Sequence, residues 1–237
     1  MTKLDFSPGF YRVAGLASIA SAVTTLMLIF LPQMFAPVAD DIAGRMQRVT
    51  DPAYQLRAWA YLIHPFLAFS AALGVAMALR RQSPALALAG LLGFFLWALT
   101  EAGQQSLTLF AFDDWRRAWL AGDPLVRQTM EVRAAIYDGL WEAAYSLLLF
   151  GIILGSSIFA AILLRMPDTL SRLVGGFYAL AAIQSVFIQS GELGGPVLPE
   201  TLAFWVYPAT QPIARVLIGV WLLRVALRGE PRVDTAG

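Results

Sequence analysis

An all-α bundle of six membrane-spanning helices is the fold this sequence predicts, and three observations predict it. The 237 residues are 58% hydrophobic, with a mean hydropathy of +0.64. Only 14% are charged, against about 25% in a soluble globular domain. The apolar residues gather into long runs with the charges clustered between them, and each run is near or above the roughly 20 residues that carry a helix across a bilayer.

The polar opening MTKLDFSPGFYR leads into a first span over about 11–35, longer than the apolar segment of a cleaved signal peptide. Its Ser18, Ser21 and Thr24 read as packing hydroxyls, because small polar side chains are common at helix contacts inside membranes. A polar connector follows, carrying Asp40, Asp41, Arg45, Arg48, Asp51 and Pro52. The second span, 55–79, ends at Arg80-Arg81 and puts Arg57, Tyr61 and His64 on one face at i, i+4 and i+7. Pro65 removes a backbone donor and frees the Tyr61 carbonyl, which predicts a wet or protein-lined notch.

The connector from Arg80 to Pro84 is short enough to make the second and third spans antiparallel neighbours. The third span covers 85–112. In the stretch FDDWRRAWLAGDPLVRQTMEVR that comes next, Phe112, Trp115 and Trp119 lie along one side among acids and arginines, the pattern of a short interfacial helix between the third and fourth spans. The fourth span, 131–165, is longer than the hydrocarbon requires. Its Gly151 and Gly155 have the G-x-x-x-G spacing that admits a close neighbour. A turn containing Pro167 and Asp168 opens the fifth span, 169–190, and the loop GELGGPVLPE has the glycine and proline content of a turn. In the sixth span, 200–227, Pro208 and Pro212 bracket Gln211 and predict a kink toward the interior. Residues 1–237 form a single transmembrane domain, with no low-complexity tract or internal repeat.

Six spans place both termini on one side of the membrane. Lys3, Arg12, Arg80, Arg81, Arg165, Arg172, Arg224, Arg228 and Arg232 share that side. Arg45, Arg48, Arg57, Arg116, Arg117, Arg127 and Arg133 fall on the other, over longer loops, so the positive-inside rule favours cytoplasmic termini. A formal charge of +1 offers no basic surface to nucleic acid. The absence of cysteine excludes disulfides and thiol catalysis.

The chemistry centres on WALTEAGQQSLT, residues 97–108, which sets Glu101, Gln104, Gln105 and Thr108 on one helical face. An ionisable group facing lipid costs about 2.5–3.5 kcal/mol at the bilayer centre by insertion scales, so such groups turn inward. Other spans carry similar groups: His64 in the second, Asp138, Trp141, Glu142 and Tyr145 in the fourth, Gln184 and Gln189 in the fifth, and Gln211 and Arg215 in the sixth. Counted at about 1.5 Å of rise per residue, all but the central Arg215 lie in the half of the membrane away from the termini. Scattered helix-to-helix hydrogen bonds, worth about 0.6 kcal/mol each, would not respect depth. A shared polar pocket accounts for the pattern, with Trp97, Trp141, Trp205, Tyr145 and Tyr207 as aromatic walls. Trp59 and Trp205 also suit the interfacial aromatic belt.

Metal ligation would need more than His64 with Glu101 and Glu142: there is no second histidine and no H-x-x-x-H or E-x-x-H pair. No metal or cofactor is expected. A G-x-S-x-G elbow is also missing. Proton chemistry fits better, since carboxyls withdrawn from water hold protons more tightly. Glu101 and Glu142 as acid and base, His64 as relay and aromatic faces beside a developing cation would suit isomerisation, cyclisation or epoxide opening of a hydrophobic substrate. The plain alternative for each acid is a buried pairing with Arg215 or Arg57. Two other classes use the same residues: a proton-coupled small-molecule transporter, and a non-catalytic accessory or assembly subunit that meets a membrane-protein partner or another copy of itself.

The run GSSIFAAILLRMPDTLSRLVGGFYALAAI, the closing ARVLIGVWLLRVAL and the opening YRVAGLASIASAV together resemble a bacterial family of six-helix integral membrane proteins known as a domain of unknown function. The resemblance implies the fold and a bacterial inner membrane. It transfers no site residue.

Overall fold

Three of the six long helices start where a capping side chain meets a proline. In the computed structural model, which describes residues 6–228 and leaves the side chains of 200–205 and 207 outside that description, Ser7 accepts a hydrogen bond from the Phe10 amide and Pro8 follows it. Helix α1 therefore runs Pro8–Phe30 instead of starting at residue 11, and a 3₁₀ turn, Leu31–Met34, completes the span. A short α2 (Ile42–Gln47) lies in the connector. Asp51 caps α3 (Pro52–Leu79) by accepting from the Ala53 and Tyr54 amides. After α4 (Pro84–Leu107) and α5 (Asp113–Ala121), Asp123 caps α6 (Pro124–Leu163) through the Val126 amide. That cap moves the start of the fourth span seven residues ahead of the position read from hydropathy. Asp168 caps α7 (Thr169–Glu192), and α8 (Glu200–Arg228) ends the described chain.

Six of these stretches are long and apolar enough to cross a bilayer, and no strand occurs among the described residues. Large apolar side chains such as Phe66, Leu92, Leu99, Leu140 and Phe150 are exposed along their outer faces, where lipid takes the place of water. The protein is an all-α, multi-pass integral membrane protein.

Around the bundle α8 packs on α1, α1 on α3, α3 on α4, α4 on α6 and α6 on α7. The ring closes through a much thinner contact between α7 and α8. Two of the thick seams depend on glycine. A Cβ on Gly93 would lie 2.5 Å from the Gly155 amide nitrogen, and one on Gly151 would lie 2.7 Å from the Trp97 nitrogen, so α4 and α6 touch backbone to backbone. The G-x-x-x-G pair is a packing surface. A Cβ on Gly219 would likewise come within 2.8 Å of the Gly15 carbonyl, on the seam between α8 and α1.

The end of the bundle nearest the termini is filled. Val75, Leu79, Phe159, Leu163, Val174 and Leu222 are fully buried there, and the Trp221 indole donates to Ser171 Oγ at 2.8 Å. At the opposite end, the segment read as a short interfacial helix is continuous with α4 through a π-helical turn, Thr108–Phe112. Its aromatic side faces α6: Phe112 stacks on Tyr137 at 4.2 Å, and the Trp119 indole donates to Glu131 at 2.9 Å. Behind it Asp113 is wholly buried, accepting from Arg116 at 3.0 Å, Gln55 at 3.0 Å and Tyr54 at 3.3 Å. This cluster ties the start of α3 to α5.

Candidate functional site

Between the filled end and the Asp113 cluster, the six spanning helices line a partly open cavity of about 420 Å³. Its position follows from the sequence pattern of each helix. The face of α3 that carries Arg57, Tyr61 and His64 lines it, and Ala68, Ala71 and Ala72 continue that face with side chains too small to fill the space. From α4 come Phe94, Trp97, Glu101, Gln104 and Gln105, the i, i+3, i+4 stripe continued inward. Helix α6 contributes Trp141, Tyr145 and Leu148, helix α7 Tyr178, Gln184 and Ser185, and helix α8 Gln211 and Arg215.

The polar groups are held in specific ways. The Arg215 guanidinium lies over the Trp97 ring at 5.8 Å, and its charge acts on Glu101, His64 and Tyr178. The Trp97 indole is a hydrogen-bond donor to Glu101, one turn further along α4. His64 packs edge-on to Trp97 and has Nδ1 2.8 Å from Thr24 Oγ1. The Thr24 hydroxyl has one proton, and the Ser21 carbonyl 3.0 Å away is its other partner. Donation to that carbonyl leaves Thr24 to accept Nδ1–H and sets Nε2 as a proton acceptor; donation to Nδ1 sets Nε2 as a donor. Gln104 is anchored to α6, donating to the Trp141 carbonyl at 2.9 Å. Gln184 donates to Thr210 at 3.3 Å, while its Oε1 is buried without a hydrogen-bond partner among the described residues. Arg57 stacks over Tyr61 and donates to the Leu28 carbonyl at 3.3 Å.

Not every candidate residue reaches this space. Glu142 is exposed on α6 and does not line the cavity, so it does not face Glu101. Asp138 forms a bidentate ion pair with Arg45 of α2 outside the cavity. The reason is rotational. The inward stripe of α6 is Tyr137, Trp141, Tyr145, Leu148, Ile152 and Ser156, and a residue one position along is turned by about 100°. Gln189 is buried on α7 but lies outside the lining, with Oε1 unpartnered among the described residues. The side chains of Trp205 and Tyr207 are outside the described residues. Trp59 is exposed beside Phe110 on the lipid side, as a belt residue would be.

Arg57, Tyr61, Ser156 and Tyr178 line the cavity without having been singled out as site residues. The first two share a face with His64. Tyr178 lies one and two turns before Ala181 and Ser185 on the stripe that includes Gln184, a period that could have found it. Among the described residues no three His, Asp or Glu side chains come together as metal ligands would. The cavity therefore holds one carboxyl group, two guanidinium groups, one imidazole and the carboxamides of Gln104, Gln105, Gln184 and Gln211 within an apolar and aromatic wall.

Fold and site define a multi-pass membrane protein whose helical ring surrounds a mainly apolar hollow with a few polar groups on its wall. No family model, no curated protein and no solved structure matches this chain.

Proposed function

We propose that the protein binds a hydrophobic or amphiphilic small molecule in this cavity. It would do so in a bacterial inner membrane with both termini in the cytoplasm. The observation that supports binding most is the composition of one wall: carboxamides, Glu101, His64 and Arg215 share about 420 Å³ with Phe94, Trp97, Trp141, Tyr145 and Tyr178. A few convergent polar groups in a mainly apolar hollow of this size are characteristic of small-molecule sites. The surplus of arginines in the short loops on the side of the termini supports the orientation. Native mass spectrometry of protein released from its own membrane tests binding. A bound small molecule is expected on the wild type and is expected to be lost or weakened at least tenfold in Glu101→Gln and Gln104→Leu. Equal occupancy in all three would sink the proposal.

Acid–base chemistry is a second reading, favoured by the anchoring of His64 through Nδ1 with its ring on the cavity wall. With Glu142 turned away, the pair able to act on one ligand is Glu101 and His64, not two carboxylates. A carboxyl group as acid and an imidazole held in place through Nδ1 as its partner suit isomerisation, cyclisation or epoxide opening. Turnover in a screen of lipid-soluble substrates is expected to fall at least a hundredfold in Glu101→Gln and His64→Ala. Full activity in both variants would remove the catalytic reading and leave the binding one.

A further inference from the structure

A second hollow of about 330 Å³ opens beside the cavity, where α7, the loop after it and α8 meet. Phe187, Ile188, Val197, Leu198 and Val206 make most of its wall apolar, and Glu192 stands in the same lining. Gln184 and Ile188 belong to the walls of both hollows, so the two adjoin at a single turn of α7. This is also the thinnest seam in the helical ring.

The loop is built to lie there. A Cβ on Gly191 would come within 2.7 Å of Val197 Cγ1, so the returning chain lies close against α7 at a position without a side chain. Gly194 takes φ +75°, in the left-handed region, and the Gly195 amide donates to the Ser190 carbonyl at 2.7 Å. At the junction Gln184 keeps a buried Oε1 with no donor among the described residues. A buried acceptor in that state favours a ligand that brings its own N–H or O–H.

We propose that the groove between α7 and α8 holds the aliphatic chain of a single-chain amphiphile whose hydroxyl- or amide-bearing head lies in the cavity beyond Gln184. The molecule passes from the bilayer between α7 and α8. The proposal rests on the cavity being a binding site, and it adds the ligand's shape and its route.

Two photoreactive probes in phosphatidylcholine nanodiscs test it: a hexadecanol with a diazirine on its chain, and a short diazirine-bearing hexanol that fits the cavity alone. Crosslinks are mapped by mass spectrometry, with unlabelled alcohol as competitor. The hexadecanol probe is expected to label the Phe187–Val206 region saturably. Val206→Trp should cut that labelling at least tenfold while leaving hexanol labelling of the cavity unchanged, and Leu198→Trp, placed on the loop, should do the same if Val206→Trp fails to fold. Groove labelling that no competitor reduces, as annular lipid would give, overturns the proposal. So does long-probe labelling that survives both tryptophans. Competed labelling confined to the cavity overturns the groove alone, whereas no competed labelling anywhere overturns the cavity proposal with it.

Discussion

The Arg215 guanidinium carbon lies 5.8 Å from the centre of the Trp97 ring, joining α8 to α4 across the interior of the bundle. These two helices are not neighbours in the ring, and the cavity is the space they bridge. Ser18 holds the same part of α8 from α1, its hydroxyl donating to the Arg215 carbonyl at 2.7 Å. One cation is thus fixed where it acts on Glu101, itself buried.

Removing that cation should leave Glu101 uncompensated. Arg215→Met removes the cation that acts on buried Glu101 and covers the Trp97 ring, and is expected to cost about 1–3 kcal/mol, the range for leaving a buried polar group without its partner. The double variant Arg215→Met with Glu101→Gln should recover most of the loss. Unfolding midpoints in detergent measure both. A double variant as unstable as the sum of the two singles would show that the charges do not compensate each other.

Glycine substitutions should divide by position. Gly93→Ala and Gly155→Ala push a methyl group into the facing backbone or the Phe94 ring, 2.5 and 2.6 Å away, and should destabilise by about 1–3 kcal/mol. Gly103→Ala and Gly176→Ala meet nothing within 4 Å and should raise stability by up to about 1 kcal/mol, from helix propensity alone. Thermal melts of the four variants distinguish the two groups.

Acid should loosen the connector ends. Burial pushes the Asp51 carboxyl up, but hydrogen bonds from the Ala36, Ala53 and Tyr54 amides, with Arg48 nearby, outweigh it and hold the group below its ordinary value of 3.8. Asp168 is held down in the same way: burial is overcome by the Ser171 hydroxyl and amide, with Arg228 and Arg224 adding to them. A carboxyl group lowered on folding stabilises fully above its unfolded value and loses that contribution as pH falls through the folded one. Melting temperature should therefore drop below about pH 4, and Asp51→Asn should flatten the drop. An unchanged acid limb in that variant would show that Asp51 makes no such contribution.

Six spans and the polar face of the third were legible because hydropathy and the 3.6-residue period are local properties. Glu101, Gln104 and Gln105 could be placed on one face without knowing what faced them. Glu142 could not. Its face is chosen by the aromatic stripe Tyr137, Trp141 and Tyr145, which α6 turns toward α4 once Gly151 and Gly155 seat against Gly93 and Phe94. Asp138 was misleading for a related reason. Its partner Arg45 is 93 positions away on α2, a helix of six residues whose docking no local period announces. The Asp113–Arg116 pair reads in the sequence as part of a short interfacial helix, and its burial was not legible because a π-helical turn that joins α5 to α4 leaves no plain mark in composition.

The chain contains no cysteine, so a single introduced thiol reports on its own position, and this tests the polar cavity most directly. Ser185→Cys places it on the cavity wall, and Ile183→Cys on the exposed outer face of the same helix. In liposomes, a small charged thiol reagent should modify Ser185→Cys and leave Ile183→Cys untouched, and hexadecanol should slow the first reaction. A Ser185→Cys thiol that reacts no faster than Ile183→Cys would mean that no solvated hollow lies within the ring.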